Sequence, residues 1–233
     1  AERREGRGLP TLRVSTTGPV RDGVFAEGTR IVRARGGAET TITDISGIGS
    51  LRGRHNAENA AAALATLVGL GHDPHRAAAG LASFPGLAHR LEQVGRRGNV
   101  LFVNDSKATN ADSARRALAS FERIYWIAGG RPKTGGIESL DDLFPRVARA
   151  YLIGEAADVF AATLKGRAEA VVSGDLETAV AQAAADAANG QSEAVVLLSP
   201  ACASFDQFAN FEVRGEAFKA LVLGLDGIER RVA

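Results

Sequence analysis

Residues 100–130 read Val-Leu-Phe-Val-Asn-Asp-Ser-Lys-Ala-Thr-Asn-Ala-Asp-Ser-Ala-Arg-Arg-Ala-Leu-Ala-Ser-Phe-Glu-Arg-Ile-Tyr-Trp-Ile-Ala-Gly-Gly. Val100–Asn104 is a short apolar run, long enough for a strand and too short for a buried helix. A polar break follows, then a helical pattern from about Ala111 to Phe121. A second apolar run, Arg123–Ala128, ends on the pair Gly129-Gly130. Strands that are apolar throughout, separated by a helix, imply a parallel sheet buried on both faces.

The same alternation continues downstream. Strands are expected at Ala150–Ile153, Ala168–Val172 and Ala194–Leu198, and helices at Leu140–Val147, Ala156–Leu164 and Leu176–Ala188. Helical segments are also expected at Phe205–Phe208 and about Val213–Leu223. The fold class is therefore α/β, a doubly wound, mostly parallel sheet with helices on both faces.

Upstream the pattern changes. Thr11–Ser15, Gly23–Phe25, Arg30–Arg33 and Thr40–Ile45 alternate in period two, with turns such as Arg21-Asp22-Gly23, and read as small antiparallel strands. Asn56 to about Leu70 is a strongly helical stretch, and a second helix runs roughly from His75 to Ser83 behind Pro74. Phe84-Pro85-Gly86 breaks the pattern, placing a boundary at about residues 86–89. The reading is one part over 1–87 and another over 88–233, with a hinge expected near Pro85-Gly86-Leu87.

Composition excludes several classes. The 233 residues are 45% apolar and 24% charged, the balance of an ordinary globular chain. A net charge of +1 gives no bulk electrostatic reason for a nucleic-acid or membrane-surface partner. Arg3, Arg4 and Arg7 are interleaved with Glu and read as a solvated, mobile terminus rather than a binding arm. One cysteine, Cys202, cannot form an intramolecular disulfide. With no signal-like apolar stretch and no run of 18 apolar residues, a reducing, cytoplasmic setting is expected. The chain contains no Met, and its first residues resemble the middle of a protein, so truncation is expected.

Ligands of a doubly wound sheet bind beyond the C-terminal ends of its strands. Three such ends carry polar loops: Asn104–Asn110, Gly129–Gly136 and Ser199–Asp206. Lys107 and Lys133 supply compact positive charge suited to phosphate or carboxylate. The glycine pairs let backbone amides approach an anion. Thr109 and Ser204 offer hydroxyls to a carboxylate, and Asp105 can take a ribose hydroxyl or an ammonium. Each also has a plainer reading, with Asp105 and Asn110 as turn and cap residues and Ser204 as the cap of a following helix. Trp126 reads as core. His72, His75 and His89 lack metal-ligand spacing, and Cys202 has no Cys or His partner in sequence, so packing is its expected role.

Asn-Asp-Ser-Lys-Ala-Thr-Asn at 104–110, Gly-Gly-x-x-Lys at 129–133 and Ser-Pro-Ala-Cys-Ala-Ser-Phe-Asp-Gln-Phe at 199–208 resemble the C-terminal domain of the Mur ligases, and more narrowly its D-glutamate-adding branch. Gly53-Arg54-His55-Asn56-x-x-Asn59 resembles the family's central-domain motif, and Ala88-His89-Arg90-Leu91-Glu92 the segment joining the domains. The match spans about residues 47–220. It implies a Rossmann-like domain at 88–233 preceded by the end of a central ATP-binding domain.

The resemblance implies a chemistry as well. ATP would phosphorylate the terminal carboxylate of UDP-N-acetylmuramoyl-L-alanine, and D-glutamate would attack the acyl phosphate to form the amide in peptidoglycan synthesis, with Mg2+ shielding phosphate charge. Carried over, Asn56 and Asn59 would contact the adenine nucleotide, Arg90 its phosphates or ribose, and Asp105 the ribose. Lys107 would lie near the reacting phosphate. Thr109, Lys133, Ser204 and Phe211 would hold D-glutamate, with Lys107 and Lys133 as the catalytic cations. His55 could instead simply start a helix, Phe211 be core, and Arg90 be a surface ion-pair partner.

A phosphate loop of the form Gly-x-x-x-x-Gly-Lys-Thr/Ser does not occur in these residues. That loop, the metal ligands, a carbamylated lysine and a UDP-binding domain are expected to precede residue 1. The chain alone is then expected to be inactive, at best a weak binder of D-glutamate or nucleotide, and a monomer. Domain closure is expected in the parent enzyme. Rival readings are another ligase of the superfamily, such as a folylpolyglutamate synthase; a dinucleotide-dependent dehydrogenase, whose G-x-G-x-x-G is missing after both Val100–Asn104 and Arg123–Ala128; and a non-catalytic binding module.

Overall fold

The computed structural model describes residues 11–190 and 192–230. Arg3, Arg4 and Arg7 lie outside the described residues. The chain divides into two compact units, Ala1–Pro85 and Gly86–Ala233.

The first unit holds a four-stranded sheet, β1 (Arg13–Ser15), β2 (Gly23–Glu27), β3 (Arg30–Arg35) and β4 (Ala38–Asp44), in sequential order. It is not wholly antiparallel. β1 and β2 run parallel, pairing Arg13 with Gly23 and Ser15 with Phe25. Alternating side chains report which face is buried, and that pattern is the same for either strand direction. Two helices follow, α1 (Arg54–Gly69) and α2 (Pro74–Ala82), the second capped by Asp73, whose carboxylate accepts from the His75 and Arg76 amides. Ala57, Ala60, Ala61, Leu64 and Ala65 of α1 pack with Val24, Ile31 and Ile42 of the sheet to form this unit's core.

The second unit is built on a seven-stranded sheet. Its elements are β5 (Glu92–Arg97), β6 (Val100–Asn104), α3 (Ala111–Leu118), β7 (Ile124–Gly129), β8 (Val147–Ile153), α4 (Ala157–Leu164), β9 (Ala170–Gly174), α5 (Leu176–Ala188), β10 (Ala194–Leu198), α6 (Phe211–Leu223) and β11 (Glu229–Arg230). The order is β11-β5-β6-β10-β7-β8-β9. β6, β10, β7, β8 and β9 are mutually parallel. Antiparallel β5 and β11 extend one edge, and neither was expected from sequence. α3 and α4 help bury one face, around Trp126 and Leu197, while α5 and α6 cover the other, around Ile127 and Val196.

Three local expectations change. The segment before β8 is a 3-10 helix, Glu138–Arg146, with Pro145 inside it, where an α-helix was expected. Proline has no amide to donate, which disfavours a regular i→i−4 ladder there. Residues 205–208 form turns rather than a helix, and α6 begins at Phe211, two residues early, because Asn210 caps it by accepting from the Val213 amide.

Candidate active-site crevice

Chain order and sheet order differ at one place that matters. β10 inserts between β6 and β7, so the loops following these three strands are neighbours at one sheet edge. Backbone bonds stitch them together. The Asp105 amide donates to Leu198 O at 2.7 Å, Gly129 to Pro200 O at 2.9 Å, and Arg131 and Ala203 exchange bonds of 2.9 and 3.1 Å. Gly129 and Gly130, at φ of +124° and +121°, are required here: a Cβ on either would run into the carbonyl of Ile153 or Ala203.

Asp105, the first residue after β6, is 7% exposed. Its Oδ2 accepts from Ser199 Oγ at 2.8 Å and its Oδ1 from the Leu91 amide at 3.2 Å. Burial pushes its pKa up to about 7, opposed by the Ser199 and Leu91 hydrogen bonds and the charge of Arg90. The acid thus has a partner on each oxygen, and a ribose hydroxyl would have to share them. Arg90 is exposed nearby.

Lys107 is half-buried, and its Nζ lies 3.8 Å from the centroid of the Phe211 ring, at the start of α6. Its amide donates to His89 O at 3.0 Å. Thr109 follows, half-buried, and Asn110 serves as the cap of α3 by accepting from the Ser113 amide. Lys133 is exposed on the Gly129–Gly136 loop, and its charge reaches the buried Cys202 thiol. Ser204 is 2% exposed, and its carbonyl closes the turn to Gln207 and Phe208. So Asp105, Lys107, Thr109, Lys133, Ser204 and Phe211 come together on three adjacent loops and one helix end. Asn56 and Asn59 belong to the first unit, at the start of α1, where Asn59 Nδ2 reaches Asn56 Oδ1 at 3.4 Å and Asn56 Nδ2 donates to Arg52 O.

Trp126 is fully buried and donates through Nε1 to Ser199 O at 2.8 Å, a core residue that also fixes a site loop. Cys202 is buried, and burial pushes its thiol up to about 12, leaving it protonated near neutral pH. Among the described residues no group of three His, Cys, Asp or Glu side chains could hold a metal ion. No described helix is long and apolar enough to cross a membrane.

Sequence reading passed over Arg214. It is 1% exposed and fastens two loops: Nε and a terminal nitrogen donate to Ser106 Oγ and Ser106 O at 3.0 and 2.9 Å, and the same terminal nitrogen donates to Cys202 O at 3.1 Å. Burial lowers its pKa to about 10, so it stays charged at neutral pH. Its signal was present, since Phe211, Arg214, Phe218 and Val222 fall at helical spacing on one buried or half-buried stripe.

Comparison with known proteins agrees with this architecture. The family model "Mur ligase, glutamate ligase domain" matches residues 89–202. The UDP-N-acetylmuramoylalanine–D-glutamate ligases of Nitrobacter hamburgensis and Chelativorans sp. are 59% and 58% identical to the chain over 229 and 230 residues, 98% of its length. The chain spans about half the length of these curated relatives, 49% in both cases. Among solved structures, a UDP-N-acetylmuramate–alanine ligase from Thermotoga maritima aligns at a TM-score of 0.56 and 17% identity, covering 89% of this chain and 50% of that one. A pseudomurein peptide ligase from Methanothermus fervidus aligns at 0.53 and 14%, covering 79% and 40%. At those identities the structures speak for the fold alone. With the matched segment running from the turn before β5 through the loop after β10, this chain belongs to the Mur ligases, whose glutamate ligase domain it carries.

Proposed function

We propose that this chain is the C-terminal half of an ATP-dependent ligase that joins D-glutamate to UDP-N-acetylmuramoyl-L-alanine in cytoplasmic peptidoglycan synthesis. The observation that carries this reading is the insertion of β10 between β6 and β7, which gathers Lys107, Thr109, Ser204 and Lys133 at one sheet edge. The 58–59% identity to ligases of that name supports the amino acid chosen.

In this account residues 1–87 are the end of the ATP-binding domain, contributing Asn56 and Asn59 to the adenine nucleotide, and 88–233 are the amino-acid domain. Thr109, Lys133, Ser204 and Phe211 hold D-glutamate, with the lysine and hydroxyls on its carboxylates. Arg90 and Asp105 serve the nucleotide, and Lys107 lies beside the transferred phosphoryl group. Lys107, resting against the Phe211 ring, suits a reaction in which negative charge develops first on an acyl phosphate and then on a tetrahedral centre, because a cation already in place needs little reorganisation as the charge forms. Mg2+ would shield the phosphates when bound, held by residues other than these. No phosphate loop occurs in the 233 residues, so the chain alone should not turn over.

The test is phosphate release with UDP-N-acetylmuramoyl-L-alanine, ATP, Mg2+ and D-glutamate. The 233-residue chain should release none. The chain joined to an ATP-binding half should release phosphate only when D-glutamate is present. Turnover by the chain alone, or turnover indifferent to D-glutamate, would overturn the proposal.

A further inference from the structure

Arg90 sits between two residues whose backbones are in the left-handed region, His89 at φ +61° and Leu91 at φ +46°. Neither is a glycine, and such conformations persist only where the surroundings over-determine them. Leu87 to Arg90 form a tight turn closed by the Arg90 amide on Leu87 O at 3.2 Å, with His89 at its third position, where a positive φ is normally a glycine's.

The His89 amide donates to Glu92 Oε2 at 2.9 Å. The His89 carbonyl accepts from the Lys107 amide, and Nδ1 of the ring lies 3.0 Å from Asn104 Nδ2. Glu92 is itself fixed from two directions, by Asn104 Nδ2 on Oε2 at 2.9 Å and by Lys219 Nζ on Oε1 at 3.0 Å. Lys219 in turn also meets Glu216 at 3.1 Å, and the Glu92 side chain is 23% exposed. One carboxylate thus ties the strained turn to the end of β6 and to α6. Through the His89 peptide it reaches both Arg90, the next residue, and Lys107, bonded to the His89 carbonyl.

We propose that Glu92 is a positioning residue that sets Arg90 and Lys107, the two cations facing the nucleotide, by holding the left-handed His89 turn. The proposal rests on the ligase reading above. Glutamate suits the task because its two oxygens accept from three donors: the His89 amide, Asn104 Nδ2 and Lys219 Nζ. A glutamine could keep the His89 and Asn104 bonds on its oxygen and turn its NH2 toward Lys219, so only a side chain without an acceptor there removes all three. Of the residues assigned to D-glutamate, Lys133 and Ser204 lie on other loops with no described bond to this network. Thr109, whose amide donates to Lys107 O, and Phe211, against which Lys107 rests, touch it only through Lys107 and the His89 ring.

The test uses Glu92→Met and, because a core-edge variant can fail to fold, Lys219→Met, which leaves the carboxylate in place and removes one of its anchors. On the 233-residue chain, amide hydrogen exchange should accelerate at least tenfold at His89 and Lys107 in Glu92→Met, and less in Lys219→Met, with the Trp126 amide unchanged. In the ligase joined to its ATP-binding half, KM for ATP should rise at least fivefold, and KM for D-glutamate by a smaller factor. Unchanged exchange at His89, uniform acceleration across the sheet, or equal rises in both KM values would overturn the inference. If the wild-type ligase shows no turnover with D-glutamate, the ligase reading falls, and selective exchange at His89 and Lys107 alone decides whether Glu92 holds the turn.

Discussion

Lys107 Nζ rests 3.8 Å from the centre of the Phe211 ring, so the first residue of α6 holds the cation that follows β6. Such a contact is worth about 0.5–2 kcal/mol depending on its exposure. Phe211→Leu should free the lysine with little loss of fold. The readout is the Lys107 ε-methylene proton shift, which the aromatic ring displaces upfield in the wild type and which should return to its ordinary position in the variant.

Asp105 supplies a pH-dependent prediction. Its pKa is pushed up to about 7 in the fold from 3.8, so the native state favours the protonated acid. The associated stability is complete below pH 3.8 and is lost as pH rises to about 7. Asp105→Asn, which cannot ionise, should therefore gain on the wild type between pH 4 and pH 8, by about 2–4 kcal/mol at most. Urea unfolding at the two pH values measures the difference, and a gain at pH 4 equal to that at pH 8 would contradict it.

Gly215 faces the His89 ring, and a Cβ there would run into Nδ1. Alanine is ordinarily the better helix former by about 1 kcal/mol. Here Gly215→Ala should instead destabilise by about 1–3 kcal/mol through overpacking, seen as a lowered Tm.

Arg214→Lys keeps the charge and loses the fork. One ammonium cannot easily serve Ser106 and Cys202 together, and each buried acceptor left unpaired costs about 1–3 kcal/mol. A clear fall in Tm is expected, with exchange at the Lys107 and Ser204 amides accelerating more than at Trp126.

The legible parts of this chain were those where one physical signal dominates. Val100–Asn104, Ile124–Gly129 and Ala194–Leu198 are buried at every position, so an unbroken apolar run sufficed to find strands there. β5 was missed because Glu92-Gln-Val-Gly-Arg-Arg97 is charged and contains Gly95, against which Ile228 and Glu229 of the β11 segment press. A two-residue connection, Gly98-Asn99, joins it to β6, a hairpin signal that the flanking charges obscured. The three site loops were legible as polar punctuation after strands. That they are neighbours was not, because the insertion of β10 between β6 and β7 depends on how whole strands pair. His89 and Leu91 show the same limit: nothing in Ala88-His89-Arg90-Leu91 marks a left-handed turn, since the residues that enforce it, Glu92, Asn104 and Asp105, are in part distant in sequence.

The most direct test of the account is a 15N-detected titration of this chain with D-glutamate and, in parallel, L-glutamate, to tens of millimolar (about 50 mM, in the weak-binding range). Saturable shifts are expected with D-glutamate, centred on the amides of Thr109, Lys133 and Ser204, and weaker or unsaturated shifts with L-glutamate. Equal responses to the two enantiomers, or shifts that leave those three loops untouched, would contradict the assignment of this crevice to D-glutamate.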